Sequence, residues 1–195
     1  MASVLPFRKV SLDALTYGTM IKDTSARLYV VPIEPAVKIQ TTPIALATSL
    51  EDPEIPFVYL TPDASLAAFL AKTEKTIADA CITNKKDWFA VAMEDDVLRQ
   101  GFKSFFSETG FKVKVPTDLA CFSADKTPIG REDIPAGTMV RAVMELSRVC
   151  FGRHEYGSTW KITQLQLVPT QCLIEDEPVD DSVDPGSDSD VGEFL

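Results

Sequence analysis

Between Ile134 and Pro169 the chain alternates apolar and polar residues with the two-residue period of a β-strand, for long enough to require a long hairpin. Pro135, Ala136 and Gly137 supply the turn that starts it, because proline presets φ and glycine accepts φ > 0. The even positions Val140, Ala142, Met144 and Leu146 form an apolar stripe. The odd positions Met139, Arg141, Val143, Glu145 and Ser147 form a mixed face. A short basic and aromatic loop, Arg153 to Tyr156, leads through Gly157 into the partner strand. There Trp160 and Ile162 set one phase and Leu165 and Leu167 the other, so an extra residue is expected near Thr163 and Gln164. Long, bulged, bent hairpins are the material of small closed barrels.

The remaining segments fit that frame. From Arg27 to Leu60 run short β-prone pieces, RLYVVPI, AVKIQ, PIALA and PFVYL, separated by prolines that remove ladder donors; they are expected to be short, bulged or at sheet edges. A helix follows, with Thr61 as cap, Pro62 at its first position and Leu66, Phe69, Leu70 and Ile77 on one face, fading near Asn84. A second helix is expected from Asp95 to Phe106, opened by acids and stopped by Gly110. FKVKV, Phe111 to Val115, alternates as a strand with one buried and one wet face. The fold class read from this is mainly β: an OB-like antiparallel barrel with one or two inserted helices, with a β-sandwich as the alternative.

Charge divides the chain. The net charge is −10, yet residues 175–195 hold nine of the 29 acids and no Lys or Arg, which leaves the rest nearly neutral. This acidic stretch, rich in Ser and carrying Pro178 and Pro185, has no apolar period and is expected to be disordered. The organisation is therefore one domain, residues 1–174, and an acidic C-terminal tail, residues 175–195, closed by Phe194 and Leu195. No apolar run is long enough to span a membrane, and the start lacks the apolar stretch of a secretion signal. No membrane association and an intracellular, reducing compartment are thus expected.

Enzymatic signatures are missing. There is no phosphate-binding Gly-rich loop, no GxSxG and no HExxH. His154, the single histidine, sits between Arg153 and Glu155 with no nucleophile placed beside it. The pairs Asp95/Asp96, Glu132/Asp133 and Asp180/Asp181 read as helix-start or turn acids rather than Mg²⁺ ligands. Cys81, Cys121, Cys150 and Cys172 lie far apart, as buried free thiols do and zinc ligands do not. No metal, no cofactor and no catalytic residue is expected.

Binding signals are stronger. From Val97 to Ile174 ten bases face seven acids, and the bases are interleaved with rings: Lys103 by Phe102 and Phe105, Lys112 and Lys114 after Phe111, Arg148 and Arg153 around Phe151, Lys161 beside Trp160. Single-stranded nucleic acid needs this mixture, because cations track phosphates while flat rings stack on bases. The expected contact set is Lys112, Lys114, Arg141, Arg148, Arg153, Tyr156, Trp160 and Lys161. Among the rings, Trp160 and Phe102 rank nearest the core and Tyr156 nearest solvent. A disordered polyanion on such a chain acts as an internal competitor for the nucleic acid.

Two segments carry a resemblance. The acidic tail, with Asp188, Asp190, Glu193, Phe194 and Leu195 at its end, resembles the tails of bacterial and phage single-stranded DNA-binding proteins, although it closes on Phe-Leu where the bacterial family has an Ile-Pro-Phe type ending. The Ile134 to Thr138 turn with Tyr156 to Gln164 looks like the hairpin of OB-fold DNA-binding proteins from phages and large DNA viruses. Together they cover about the last third of the chain. The resemblance implies a non-enzymatic, sequence-independent single-stranded DNA-binding protein of viral replication or recombination, whose tail competes with DNA and recruits replication proteins. The alternatives are a virion structural or protein-interaction module, with every ring in the core, and a metal-dependent nuclease, which needs carboxylates to converge. Monomer and homodimer both stay open, as do DNA and RNA.

Overall fold

The computed structural model describes residues 4–24, 27–52, 54–89 and 91–169. Its main elements are β1 (Leu28–Gln40), β2 (Ile44–Leu46), β3 (Phe57–Thr61), α1 (Ala64–Thr83), α2 (Lys85–Trp88), α3 (Asp95–Gln100), β4 (Gly110–Lys114), β5 (Ala120–Phe122), β6 (Met139–Phe151), β7 (Tyr156–Ser158) and β8 (Lys161–Leu167). Five of the strands close on themselves: β6 pairs β2, β2 pairs β3, β3 pairs β4, β4 pairs β8, and β8 returns to β6. Every pairing in the ring is antiparallel except β4 with β8. The fold is mainly β, an OB-like closed five-stranded barrel with helices inserted between its second and third strands.

The hairpin alternation is realised residue by residue. Val140, Ala142, Met144 and Leu146 are fully buried inside the barrel, each large aliphatic side chain contributing about 1.5–3 kcal/mol by leaving water. On β8 the ladder passes from Met144 opposite Ile162 to Val143 opposite Gln164, so Thr163 is the extra residue, and its hydroxyl donates to the Val143 carbonyl at 3.2 Å. A second irregularity lies on β6 between Leu146 and Arg148, after which Val149 and Phe151 become the inward residues.

β1 corrects the expectation of separate short pieces: RLYVVPI and AVKIQ belong to one thirteen-residue strand. Its prolines are accommodated because the ladder to β6 is interrupted there. Val37 pairs Leu146 and Pro32 pairs Arg148, while Ile33 and Glu34 pair instead with Tyr17 and Thr16. Missing proline donors are tolerated where a ladder is already broken.

α1 starts two residues later than Thr61 and Pro62 suggest, since Asp63 is the cap: its carboxylate accepts from the Leu66 N–H at 2.7 Å and from the Thr42 hydroxyl at 2.8 Å. It ends at Asn84 as the pattern implies. Leu66, Leu70, Ile77 and Cys81 are its buried face, and Phe69 meets the Trp160 ring at 6.4 Å, which seats the helix against the barrel core. α3 stops at Gln100 rather than Phe106. The Gly101 carbonyl accepts from Tyr156 N–H and the Tyr156 carbonyl from Lys103 N–H, so pairing with the hairpin overrides helix propensity.

Candidate nucleic-acid interface

The register across the barrel places a row of residues side by side on its outer face. Phe57 on β3 pairs Lys114 on β4, Lys114 pairs Lys161 on β8, Lys161 pairs Glu145 on β6, and Glu145 pairs Lys38 on β1. The neighbours Val58, Val113, Ile162 and Met144 are all buried, which fixes this row outward by strand alternation. One step along, Tyr59 pairs Lys112, whose ammonium stands 4.2 Å over the Phe57 ring.

This row floors a cleft of about 980 Å³ that includes Phe57, Lys114, Arg131, Arg148 and Lys161. A smaller recess with Lys103 and Lys112 adjoins it and shares Leu28, Phe57, Cys150 and Thr159. Six cations thus line one continuous groove against four carboxylates, Glu54, Asp118, Glu145 and Glu155. Two of those acids are neutralised in place: Glu145 by Lys38 at 3.1 Å and Glu155 by Lys103 at 2.9 Å. Arg148 meets Asp23 at 3.3 Å, and Arg131 donates to the carbonyls of Leu50 and Asp52. Lys112, Lys114 and Lys161 have no ion-pair partner among the described residues, so their charge is available to a ligand. Burial pushes the Cys150 thiol in this groove up, against the pull of Arg148 and Lys114, and holds it neutral.

Of the residues expected from sequence, Lys112, Lys114, Arg148 and Lys161 come together here. Arg141 does not; it lines a separate pocket on the same outer face. Arg153 sits exposed in the hairpin loop beside His154 and is not part of the groove lining. Tyr156 and Trp160 are corrections. Tyr156, expected at the surface, is 5 % exposed: it stacks on Phe151 at 5.5 Å and meets Phe102 edge-on at 5.5 Å. Its hydroxyl is buried without a hydrogen-bond partner among the described residues, and burial raises both it and the Cys81 thiol, Cys81 to about 11. Trp160 has no exposed surface and offers no face to a base.

The ring that is available, Phe57, was missed. Its signal was present in PFVYL, where Val58 and Leu60 take the inward positions and leave Phe57 and Tyr59 facing out, against the lysines of FKVKV. Among the described residues no group of three or more His, Cys, Asp or Glu gathers to hold a metal, and no helix is long and apolar enough to cross a membrane. Cys81 and Cys121 are buried free thiols. Cys172 and the tail residues Asp188, Asp190, Glu193, Phe194 and Leu195 lie outside the described residues.

Residues 59–182, from the second barrel strand past the end of the hairpin, match the model of a family of unknown function, DUF5871. The chain belongs to DUF5871. The match takes in Lys112, Lys114, Arg148 and Lys161, while Phe57 and β1 precede it, so this DUF5871 member builds its groove from both sides of the family boundary. No curated protein matches the chain. Among solved structures, this DUF5871 chain is similar to the single-stranded DNA-binding protein of bacteriophage Enc34 in its C-terminally truncated form: TM-score 0.45, 10% identity, covering 83% of this chain and 98% of that one. The same phage protein in complex with ssDNA gives a TM-score of 0.44 and 11% identity, covering 86% and 99%.

Proposed function

We propose that this protein binds single-stranded DNA without sequence preference, laying the strand across the second and third barrel strands, β3 and β4. The observation that carries the reading is the juxtaposition of three lysines free of ion pairs, Lys112, Lys114 and Lys161, with the half-buried ring of Phe57 in one open groove. Phosphates take the ammonium groups and a base takes the ring, which is the combination single strands require. The same strand pair is the oligonucleotide-binding face of OB-type barrels generally. Arg148 and Arg131 widen the positive field at one end of the groove.

The setting is replication or recombination of a phage or large DNA virus, in a reducing compartment, as the hairpin and tail resemblance implies. Residues 175–195 compete for the groove as a tethered polyanion and present Phe194 and Leu195 to replication proteins.

The deciding experiment is a fluorescence anisotropy titration with labelled oligo-dT at several salt concentrations. Binding at low salt is expected, with log affinity falling by about 0.7 per phosphate neutralised for each unit of log salt. Absence of binding at low salt, with and without residues 175–195, overturns the proposal.

A further inference from the structure

A second pocket, of about 260 Å³, opens on the outer face of β6 and β8 beyond the groove, lined by Gln40, Phe122, Lys126, Arg141, Ala142, Val143, Gln164, Leu165 and Gln166. Its chemistry differs from that of the groove. It holds two cations, Arg141 and Lys126, no carboxylate, three primary amides and one aromatic ring. Neither cation has an ion-pair partner among the described residues.

The ladder explains why these groups converge. Arg141 pairs Gln166, which pairs Phe122; Gln40 pairs Val143, which pairs Gln164. Two lateral rows therefore surround the half-buried Val143 as a floor. Lys126 reaches the site from the turn after β5, at φ +70°, a left-handed backbone that disfavours a side chain. The acid of that turn, Asp125, is engaged by the hydroxyls of Ser123 and Thr127 and leaves the lysine uncompensated.

We infer that this pocket is a nucleotide subsite, taking one phosphate between Arg141 and Lys126 and one base over Phe122, and that it extends the strand path leaving the groove. The inference rests on the single-strand reading above. Its base contacts are sequence-tolerant by construction: each glutamine amide carries both donors and an acceptor, and so can meet any base edge. Gln166 has its Nε2 donated to the Ala124 carbonyl at 3.1 Å, which leaves its Oε1 as acceptor.

Continuity with the groove comes from the bulge. Without the extra Thr163, strand alternation would put Gln164 and Gln166 on the face opposite Lys161; with it, all three point outward. Along β6 the path from Glu145 to Arg141 is four residues, about 14 Å at strand rise. The one carboxylate on that path, Glu145, is paired with Lys38.

The test uses the full chain, an oligo-dT ladder from about 4 to about 20 nucleotides, and the double substitution Arg141→Ala with Lys126→Ala. The unsubstituted protein should gain affinity as the oligonucleotide grows long enough to reach from groove to pocket. The double variant should lose that gain, bind the longest oligonucleotide about tenfold or more weakly, and show a salt slope shallower by about 0.7, for the one phosphate the two cations share. Unchanged length dependence and slope in the double variant, with Lys112→Ala and Lys114→Ala still weakening binding, would overturn the pocket and leave the groove standing. Failure of the unsubstituted protein to bind any length would remove both.

Discussion

Lys114 and Lys161 lie directly opposite one another across the parallel seam of the barrel, joined by the hydrogen bond from Lys114 N–H to the Trp160 carbonyl at 2.8 Å. Like charges so placed repel, and neither has an ion-pair partner among the described residues. A bound phosphate between them turns that repulsion into attraction. Lys114→Gln should therefore stabilise the free protein by a few tenths of a kcal/mol in urea denaturation while weakening oligo-dT binding and flattening its salt slope by about 0.7. A variant that is both less stable and equally tight in binding would contradict this role.

Phe57 is the groove's stacking surface, capped in the free protein by the Lys112 ammonium at 4.2 Å. A base arriving on the ring exchanges that cation contact for stacking and frees the ammonium for a phosphate. The native tryptophans Trp88 and Trp160 are buried, at 7% and 0% exposure, and should report little. Phe57→Trp places a third in the groove, and its fluorescence should be strongly quenched by oligo-dT where the unsubstituted protein's is not. Phe57→Ala should weaken binding by about 1–3 kcal/mol.

The sequence made the barrel readable where one physical pattern acted alone. Alternation along β6 and the phase change around Thr163 gave both the core stripe and the bulge, because strand period leaves no freedom once one face is buried. It misled where tertiary pairing competed with local preference: α3 ends six residues early because Gly101 and Lys103 pair with Tyr156, and β1 runs through prolines because its partner ladder is broken there. The lysines of the groove were legible from FKVKV. PFVYL carried the outward phase of Phe57, but only the register of β3 against β4 sets that ring beside those lysines.

Tyr156 separates folding from binding. It borders the recess with Lys103 and Lys112, but it is held between Phe102 and Phe151 and only 5% exposed, too little to serve as a stacking surface. Tyr156→Ala should cost about 3–5 kcal/mol of stability, as aromatic core truncations do. The fraction that stays folded, measured below its lowered melting temperature, should bind oligo-dT within about twofold of the unsubstituted protein on the arithmetic of small free-energy changes.

Asp63 sets a pH dependence at the start of α1. The Leu66 N–H, and then the Thr42 hydroxyl, hold its carboxyl below the ordinary carboxylate range. Its contribution to stability is thus fully present above the unfolded value near 3.9 and is lost as pH falls through the lower folded value. Asp63→Ala should melt below the unsubstituted protein at pH 7, and the gap should narrow on acidification under about pH 4, followed by circular dichroism.

The nine acids of residues 175–195 define the last expectation. A tethered polyanion samples the groove at high effective concentration, so it lowers apparent affinity for DNA without changing the groove itself. Both competitor and ligand reach the same lysines by charge, and salt screens the tethered one as it does the free one. Deleting residues 175–195 should therefore tighten oligo-dT binding at low salt, and the two proteins should converge as salt rises. If the tail instead contributed to binding, deletion would weaken it at low salt. A tail that never meets the groove would leave binding the same at every salt concentration, and the lysine row would then act alone.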